Sequence, residues 1–246
     1  MDYHDLLARL GEGSAHPGGF TATTQLLDTL SLPVHSKVLE VGCGTGRTAC
    51  YLARNGYRVT AVDLNRQMLD KAVRRARRER LDVRFIQADV KSLPFPDHHF
   101  DVIFVESVTI FTHWRSALAE YRRVLKPGGL FIDREMILSG RKTEVMSRRL
   151  KQFYGIKTLA TMTTWKRRLR QSGFTAVLIK ENSRSMGMWG TDHDPHREMD
   201  VTLFEDEQVQ RMSRTNDRLL LRYGKRLGYA VFEARTPMDN DRKQNE

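Results

Sequence analysis

The sequence has little cysteine and no long hydrophobic run. Its 246 residues contain two cysteines, Cys43 and Cys50, which are too few for a disulfide framework or a four-thiolate zinc site. No apolar run reaches the roughly 18–20 residues that a transmembrane helix needs. The opening residues 1–5 are acidic, unlike the basic start of a secretory signal. We therefore expect a reduced cytoplasmic protein with no metal site and no membrane span.

Basic residues are in excess, and they are concentrated in two segments. The formal net charge is +11, from 41 Lys and Arg against 30 Asp and Glu. Residues 65–80 carry a net charge of +5 and residues 141–170 a net charge of +9, whereas residues 192–207 hold seven acids and one arginine. A basic segment either attracts an anionic partner or forms a solvated face. The sequence leaves both interpretations open.

Two charged segments have a more definite interpretation. The predicted helix at residues 66–80 places its apolar residues on one face, so we expect its arginines to point outward. Residues 192–196 include the side-chain types that bind metals, but nothing else in the sequence organises a coordination shell. We therefore interpret residues 192–196 as a solvated loop.

Strand-like apolar runs alternate with helical patterns through most of the chain. The strand-like runs are residues 37–41, 59–62, 83–87, 102–105, 130–132, 176–179 and 229–234. Their alternation with helices of about 10–15 residues predicts an α/β fold with a parallel sheet and right-handed crossovers. Helical patterns before the first strand predict an N-terminal helical cap, and helical insertions are expected after the fifth strand.

A glycine-rich loop joins the first predicted strand to the following helix. Gly42, Gly44 and Gly46 are separated by single residues, whereas the dinucleotide fingerprint is G-x-G-x-x-G. The spacing disfavours a nicotinamide enzyme, and the loop lacks the Gly-Lys-Ser/Thr ending of a P-loop. Glycines at such a turn allow a ligand to approach backbone N–H groups closely.

Three acids accompany the ends of successive strands. Asp63 ends the second strand, where a carboxylate can accept two hydrogen bonds from a ribose diol. Asp89 follows the third strand, where it can accept from an adenine amino group. Glu40 precedes the glycine loop, where it can meet an ammonium group. Each acid alone is equally typical of a helix cap or turn, so it is their combination with the loop that predicts a binding site.

These motifs resemble the class I S-adenosylmethionine-dependent methyltransferases over about residues 36–133. The matching segments are VLEVGCGTG at 38–46, VD at 62–63, AD at 88–89, LPFPDHHFDVI at 93–103 and RVLKPGG at 123–129. The last two are most similar to the branch that contains ubiquinone/menaquinone C-methyltransferases and many small-molecule methyltransferases.

The resemblance implies a Rossmann-like, seven-stranded, mostly parallel sheet whose last strand is antiparallel. It also implies S-adenosyl-L-methionine as cofactor and S-adenosyl-L-homocysteine as product. Asp63 would hold the ribose hydroxyls, and Glu106, after the fourth strand, would face the methyl-transfer site. The residues expected at the methionine part are Glu40, Gly42, Cys43, Gly44 and Gly46. The residues expected at the adenine are Leu64, Met68, Asp89 and Val90.

Methyl transfer from a sulfonium is an in-line displacement, so alignment and desolvation supply most of the catalysis. A hydroxyl acceptor would also need a general base, for which the candidates are His16, Glu106 and His113. The expected substrate-binding residues are His16, Phe20, Trp114 and Tyr154.

We expect one methyltransferase domain followed by a disordered polar tail. The divisions are the domain at 1–235, its N-terminal cap at 1–33, a cofactor-binding half at 36–133, a substrate half at 134–235 with a polar insertion at 181–227, and the tail at 236–246.

The leading hypothesis is methyl transfer to a small-molecule acceptor, which would be anionic if the basic segment at 141–170 faces the pocket. The alternatives are an RNA methyltransferase that uses this segment and a non-catalytic cofactor-binding regulator. Arsenic methylation is excluded because it needs several thiolates. Amino-directed DNA methylation is disfavoured, because residues 106–109 read Glu-Ser-Val-Thr where those enzymes carry Asn/Asp-Pro-Pro-aromatic. The acceptor atom and the oligomeric state stay open.

Overall fold

Seven strands form one sheet surrounded by helices in a computed structural model that describes residues 1–185 and 192–238. The strands are β1 (Lys37–Val41), β2 (Arg58–Asp63), β3 (Val83–Gln87), β4 (Phe100–Glu106), β5 (Leu125–Leu138), β6 (Thr175–Ser183) and β7 (Leu227–Arg235). The helices are α1 (Tyr3–Leu10), α2 (Gly19–Thr29), α3 (Arg47–Arg54), α4 (Arg66–Glu79), α5 (Trp114–Val124), α6 (Glu144–Tyr154), α7 (Met162–Gln171) and α8 (Glu207–Tyr223). Short 3₁₀ helices lie at Thr109–Phe111, Val201–Glu205 and Gly224–Arg226.

The strand order is β3-β2-β1-β4-β5-β7-β6. The strands from β1 to β5 pair in parallel, and β7 lies antiparallel between β5 and β6. This arrangement confirms the predicted Rossmann-like α/β fold, including the antiparallel last strand. Because the carboxyl ends of parallel strands meet at one edge, the residues that follow β1 to β4 share one cleft.

The central strands are covered on both faces, as parallel strands between helical layers are. Leu39 and Ile103 belong to one hydrophobic core, whereas Val38 and Val102 belong to the other. Successive side chains of a strand alternate between the faces of a sheet, so β1 and β4 contribute to both cores. The strand ends at the cleft are therefore fixed from two sides.

The expectation that the arginines of α4 point outward is wrong for Arg75, which is only 4% exposed. Its Nε donates to the carbonyl oxygen of Thr45 (3.0 Å), and its Nη1 and Nη2 donate to the two carboxylate oxygens of Asp194 (2.9 and 2.6 Å). Bidentate pairing of this kind is among the strongest hydrogen bonding available to a guanidinium. It explains how a charged side chain can lie on the buried face of α4.

Residues 192–206, which we call the acidic strap, cross over the N-terminal helices. The prediction of a solvated loop at 192–196 is wrong, because Asp194 forms the buried pair with Arg75. The carboxylate of Asp192 also accepts hydrogen bonds from the N–H of Phe20 and from the hydroxyl of Thr21 (3.0 Å). Across the described ranges, no group of three or more His, Cys, Asp or Glu side chains is placed to hold a metal ion.

The acidic strap also fastens α1 to α4. Arg9, in the last turn of α1, donates to Asp200 (3.1 Å) and Asp206 (2.7 Å). Lys71 of α4 donates to the carbonyl oxygens of Ala8 and Glu198, both at 2.6 Å. Ion pairs and charge-assisted hydrogen bonds therefore hold the strap and the N-terminal helices together as one cover.

The predicted polar insertion at 181–227 contains the long helix α8. The side chain of Asp206 accepts from the N–H groups of Gln208 and Val209 and so begins the helix. Leu219 and Tyr223 bury one side of α8 in the core. The helix was missed because its remaining surface is polar and its apolar positions are few.

Order extends past the predicted domain end at residue 235, since Thr236 donates its N–H to the carbonyl oxygen of Gly129 (3.1 Å). Residues 239–246 of the predicted tail and residues 186–191 of the predicted insertion lie outside the described residues. Within the part of the chain that is described, no helix is long and apolar enough to cross a membrane.

Candidate functional site

A cavity of about 900 Å³ opens at the carboxyl ends of β1 to β4. We call the side next to β1, β2 and β3 the acidic end; its lining residues are Glu40, Gly42, Cys43, Gly44, Asp63, Leu64, Met68, Asp89 and Val90. We call the side next to β4, β5 and the helices α5, α6 and α8 the aromatic end; its lining residues are Tyr3, Ile110, Phe111, His113, Trp114, Met136, Tyr154, Lys157 and Leu220. One continuous space thus joins two chemically different regions.

The glycine loop forms the floor of the acidic end. The N–H groups of Gly42 and Cys43 both donate to the carbonyl oxygen of Val62 (2.8 and 3.0 Å), which ties the loop to β2. Gly42 has φ of +71°, and a Cβ there would lie 2.2 Å from a methyl group of Val108. A Cβ at Gly44 would meet only the carbonyl oxygen of Glu12, at 3.8 Å. Gly42 is thus required by packing, whereas Gly44 leaves backbone open to the cavity.

Asp63 is held in place by backbone donors. Its Oδ2 accepts from the N–H of Gly44 and its Oδ1 from the N–H of Asn65, both at 2.8 Å. Burial raises the pKa of Asp63 above its ordinary value, although the N–H groups of Asn65 and Gly44 oppose the rise. Since an ionised carboxylate has about four acceptor positions, two remain for the hydroxyls of a ligand.

Asp89 is organised by a single neighbour. Its Oδ1 accepts from the backbone N–H of Lys91 (2.9 Å), and its Oδ2 lies 3.1 Å from the Nζ of the same lysine. With a side chain 40% exposed, Asp89 keeps acceptor positions free at the edge of the cavity.

Glu40 carries an unsatisfied buried carboxyl. The residue is 6% exposed, and its Oε2 has no hydrogen-bond partner among the described residues. Burial raises the pKa of Glu40 well above its ordinary value, and the nearby charges of Glu106 and Asp63 add to the rise. A cationic group in the cavity would give Oε2 a partner and would lower the raised pKa of Glu40. The acidic end is therefore suited to a ligand that carries positive charge.

Glu106, at the end of β4, is engaged by three side chains. The hydroxyl of Thr23 lies 2.9 and 3.0 Å from its two oxygens, and the Nε of Arg134 donates to Oε1 at 3.0 Å. The Nε2 of His16 lies 3.4 Å from Oε2. Arg134 is 0% exposed, and it also donates to the carbonyl oxygen of Ala22 (3.0 Å). This cluster joins the N-terminal cap to the sheet beside the cavity.

Aromatic side chains dominate the other end. The rings of Tyr3 and Tyr154 meet edge to face with centroids 4.9 Å apart, and the hydroxyl of Tyr154 donates to Asn216 (2.9 Å). Trp114 begins α5, and the guanidinium groups of Arg115 and Arg168 lie 4.4 and 4.8 Å from its ring centroid. These contacts fix the rings, so the aromatic end offers a preformed apolar surface.

Two basic side chains line the rim of this apolar surface. Lys157 is anchored through its backbone N–H, which donates to the carbonyl oxygen of Ile110 (3.0 Å). Its ammonium group has no ion-pair partner in the described part of the chain. The Nδ1 of His113 lies 3.1 Å from the hydroxyl of Ser116, and His113 also lines the cavity. Among the ten basic residues of 141–170, Lys157 alone lines the cavity.

The cavity brings together most of the predicted site residues, and Phe20 and Gly46 are the exceptions. Contrary to the prediction, Phe20 packs its ring against Tyr51 (5.8 Å between centroids) and under the guanidinium of Arg47 (4.0 Å), away from the cavity. Gly46 lies behind the loop, where a Cβ would come within 2.8 Å of that of Ala72. Its role is to shape the turn into α3.

Sequence reasoning missed three residues of the site, namely Thr23, Arg134 and Lys157. The one available signal was Arg134, which together with Asp133 and Glu135 interrupts the apolar residues of β5, where burial of a charge requires a partner. Nothing in the local sequence distinguished Thr23 or Lys157 from other residues of their types.

The residues at the acidic end fit S-adenosyl-L-methionine. The unpaired carboxyl of Glu40 suits its ammonium group, the free acceptor positions of Asp63 suit its ribose hydroxyls, and the excess of carboxylates suits its sulfonium. Fold and site together are those of the class I S-adenosylmethionine-dependent methyltransferases.

Comparisons with known proteins agree with this class. A family described as "Methyltransferase domain" matches residues 38–129. The chain is 32% identical over 232 residues to the uncharacterized methyltransferase YodH of Bacillus subtilis (strain 168), covering 94% of this chain and 98% of that protein. The chain belongs to this family of methyltransferases, and it is an S-adenosylmethionine-dependent enzyme.

Solved structures share the fold at lower identity. The [4+2]-cyclase SpnF has a TM-score of 0.74 at 22% identity, covering 96% of this chain and 94% of that one. The phosphoethanolamine N-methyltransferase 2 of Haemonchus contortus, in complex with phosphomonomethylethanolamine and S-adenosylhomocysteine, has a TM-score of 0.72 at 20% identity, covering 95% of this chain and 57% of that one. Because one of these proteins is a cyclase, the fold alone does not establish methyl transfer, and the family membership does.

Proposed function

We propose that this enzyme methylates a small molecule that has an apolar body and an anionic end, by in-line displacement. The observation that carries the proposal is the continuity of one cavity from the acidic end to the aromatic end. When bound at the acidic end, the cofactor supplies an electrophilic methyl group. The aromatic end then holds the acceptor, and its apolar walls exclude water from the reacting atoms.

The cofactor-binding roles rest on the acidic end. We assign the ribose hydroxyls to Asp63 and the methionine part to the glycine loop with Glu40. We assign the adenine to the residues after β2 and β3, which are Leu64, Met68, Asp89 and Val90. The support for these roles is the set of free acceptor positions and the unpaired carboxyl described above.

The acceptor class follows from the aromatic end. Ring and aliphatic side chains offer an apolar surface that includes Trp114 and Tyr154. Lys157 adds at the rim a cation that has no ion-pair partner among the described residues. A charge-assisted hydrogen bond from Lys157 would hold an anionic group and orient the body of the acceptor. The phosphomonomethylethanolamine in the Haemonchus contortus structure is also a small anionic molecule, which supports an acceptor of this kind.

The three candidate bases have different surroundings. Glu106 is neutralised by Arg134, and His16 faces Glu106 and Thr23, so we assign these two residues to positioning the cap over the reacting atoms. The imidazole of His113 has one hydrogen-bond partner among the described residues, the hydroxyl of Ser116. We therefore propose His113 as the general base if the acceptor is a hydroxyl.

We propose a single domain over residues 1–235, location in the cytoplasm, and membership of the branch with ubiquinone/menaquinone C-methyltransferases, on the motifs at 93–103 and 123–129. The RNA alternative gains no support from the cavity, because the basic residues of 141–170 other than Lys157 lie outside it.

The decisive experiment is incubation of the enzyme with methyl-labelled cofactor and a metabolite extract. We expect the label in a low-molecular-weight product that binds an anion exchanger. Lys157→Gln should raise the KM for that acceptor by about ten- to a hundredfold, as expected for a lost hydrogen bond to a charged group. The matched control is Lys151→Gln, an exposed lysine on α6, which should leave the KM unchanged. Label found only in RNA, or cofactor binding without transfer, would contradict the proposal.

A further inference from the structure

Two buried carboxyl groups lie side by side on β5, next to the cavity and outside the roles assigned so far. Asp133 and Glu135 are 1% and 0% exposed. They are two residues apart on one strand, so their side chains lie on the same face of the sheet, and both carboxyls accept hydrogen bonds from the same turn at residues 108–110. Asp133 Oδ1 and Glu135 Oε2 have no hydrogen-bond partner among the described residues.

The remaining oxygens of this pair hold the turn that follows β4. Glu135 Oε1 accepts from the N–H groups of Val108 (3.1 Å) and Ile110 (3.2 Å). Asp133 Oδ2 accepts from the hydroxyl of Thr109 (3.1 Å). Val108 and Ile110 line the cavity, so the carboxyl pair fixes the wall between its acidic and aromatic ends.

Other charged groups do not neutralise the pair. The acid Glu106 on β4 adds repulsion, and the buried hydroxyl of Tyr121 on α5 makes no hydrogen bond to either carboxyl. No lysine, arginine or histidine in the described ranges forms an ion pair with Asp133 or Glu135. Two ionised carboxylates in contact inside a core are strongly disfavoured, whereas one proton between them supplies the missing hydrogen bond.

We propose that Asp133 and Glu135 share one proton, and that this shared proton positions the turn at residues 107–111 against the acceptor. The part about the acceptor rests on the proposed function; the shared proton itself does not. Asp133 and Glu135 are thus positioning residues that act through the backbone of Val108 and Ile110.

The electrostatic surroundings agree with this geometry. Burial raises the pKa of both Asp133 and Glu135, and the charge of an ionised Asp133 raises the pKa of Glu135 further. Between the ordinary pKa of an aspartate and the raised pKa of the pair, the folded state binds more protons than the unfolded state. The contribution of the pair to stability therefore declines as the pH rises through this window and levels off above it.

The direct test is infrared spectroscopy of the carboxyl groups as a function of pH. We expect a band of a protonated carboxylic acid at neutral pH that disappears as the pH rises through the raised pKa of the pair. The band of the pair is the part of the wild-type signal that the double variant Asp133→Asn/Glu135→Gln lacks and that the control Asp82→Asn, an exposed acid, keeps. Subtracting the double variant removes any contribution of Glu40, whose pKa is also raised. A wild-type spectrum identical to that of the double variant would overturn the shared proton.

The positioning role is tested by hydrogen exchange at the amides of Val108 and Ile110. After correction for the intrinsic rate, their protection should fall about tenfold for each pH unit above the transition, in proportion to the protonated fraction. In Glu135→Gln the amide supplies a permanent donor and acceptor, so protection should become independent of pH. Protection that does not respond to pH in the wild type would show that the pair does not hold the turn.

The two proposals fail in distinguishable ways. S-adenosylhomocysteine binding, measured by calorimetry on the wild type, reports on the cofactor site and not on the carboxyl pair. If labelled product never forms but the infrared and exchange results are as expected, the proposed acceptor is wrong and the shared proton stands.

Discussion

The acidic end of the cavity and the cover above it differ in how far apart in sequence their stabilising contacts lie. The acidic end depends on hydrogen bonds between residues that are close in sequence. One example is the bond from the N–H of Gly44 to Asp63, which are 19 residues apart. The cover depends on side-chain charges that are distant in sequence, since Arg75 meets Asp194 across 119 residues and Arg9 meets Asp206 across 197. A local site can therefore be read from its motif, whereas the cover depends on charges that only the fold brings together.

Among the variants that test this comparison, Asp194→Asn is expected to lower stability the most. Removing one partner of a buried ion pair leaves the other charge uncompensated, which costs about 3–5 kcal/mol, and the side chains of Arg75 and Asp194 are 4% and 5% exposed. We expect the cover to open while the sheet persists. Denaturant unfolding measures the loss of stability, and hydrogen exchange at the amide of Asp200, which donates to the carbonyl of Arg9, reports the opening.

The control for this variant is Asp217→Asn, an exposed acid on α8. A surface substitution of this kind should change stability by less than about 0.5 kcal/mol. Equal behaviour of the two variants in both measurements would mean that the buried pair does not hold the cover.

A second, smaller effect is expected from Asp63→Ala, which acts on the acidic end and leaves the cover in place. Loss of hydrogen bonds to a charged group costs about 1.5–3 kcal/mol, equivalent to roughly 10- to 150-fold in Kd. Calorimetry with S-adenosylhomocysteine measures the change, with Asp82→Ala as the exposed control. An unchanged affinity would contradict the role of Asp63 in cofactor binding. Loss of exchange protection at the amide of Asp200 in the same variant would contradict the independence of the acidic end from the cover.

The smallest effect is expected from Arg9→Gln at the partly exposed edge of the cover. Exposed ion pairs contribute little and are screened by salt, so exchange at the amide of Asp200 should accelerate slightly at low ionic strength and match the wild type at high ionic strength. A difference that survives high salt would show that Arg9 acts through packing and not through charge.

The sheet and the acidic end were predictable because each signal is local. The alternation of strands and helices predicts the sheet, and the glycine loop with Asp63 after the next strand predicts where a ligand approaches the backbone. The antiparallel last strand was known only from the resemblance, since no periodicity in residues 229–234 indicates direction.

The cover and the cluster around Glu106 were not predictable from local signals. The arginines of α4 look alike in sequence, and only the position of Asp194 selects Arg75 for burial. Phe20 was assigned to the acceptor because it lies near His16 in the chain, but the first turn of α2 directs its ring to Tyr51. Adjacency in sequence was a poor guide wherever helix rotation decides the direction of a side chain.

The acidic strap has a consequence for the order of events during synthesis. The cap is made first, yet its partners Asp200 and Asp206 leave the ribosome almost 200 residues later. The parallel strands β1 to β5 are complete by residue 138, so the sheet edge that binds the cofactor can form on the nascent chain while its cover is still open. The ion pairs that hold the cover cannot form before Asp200 and Asp206 have been synthesised, so the cover is the part of the site that depends on residues made late.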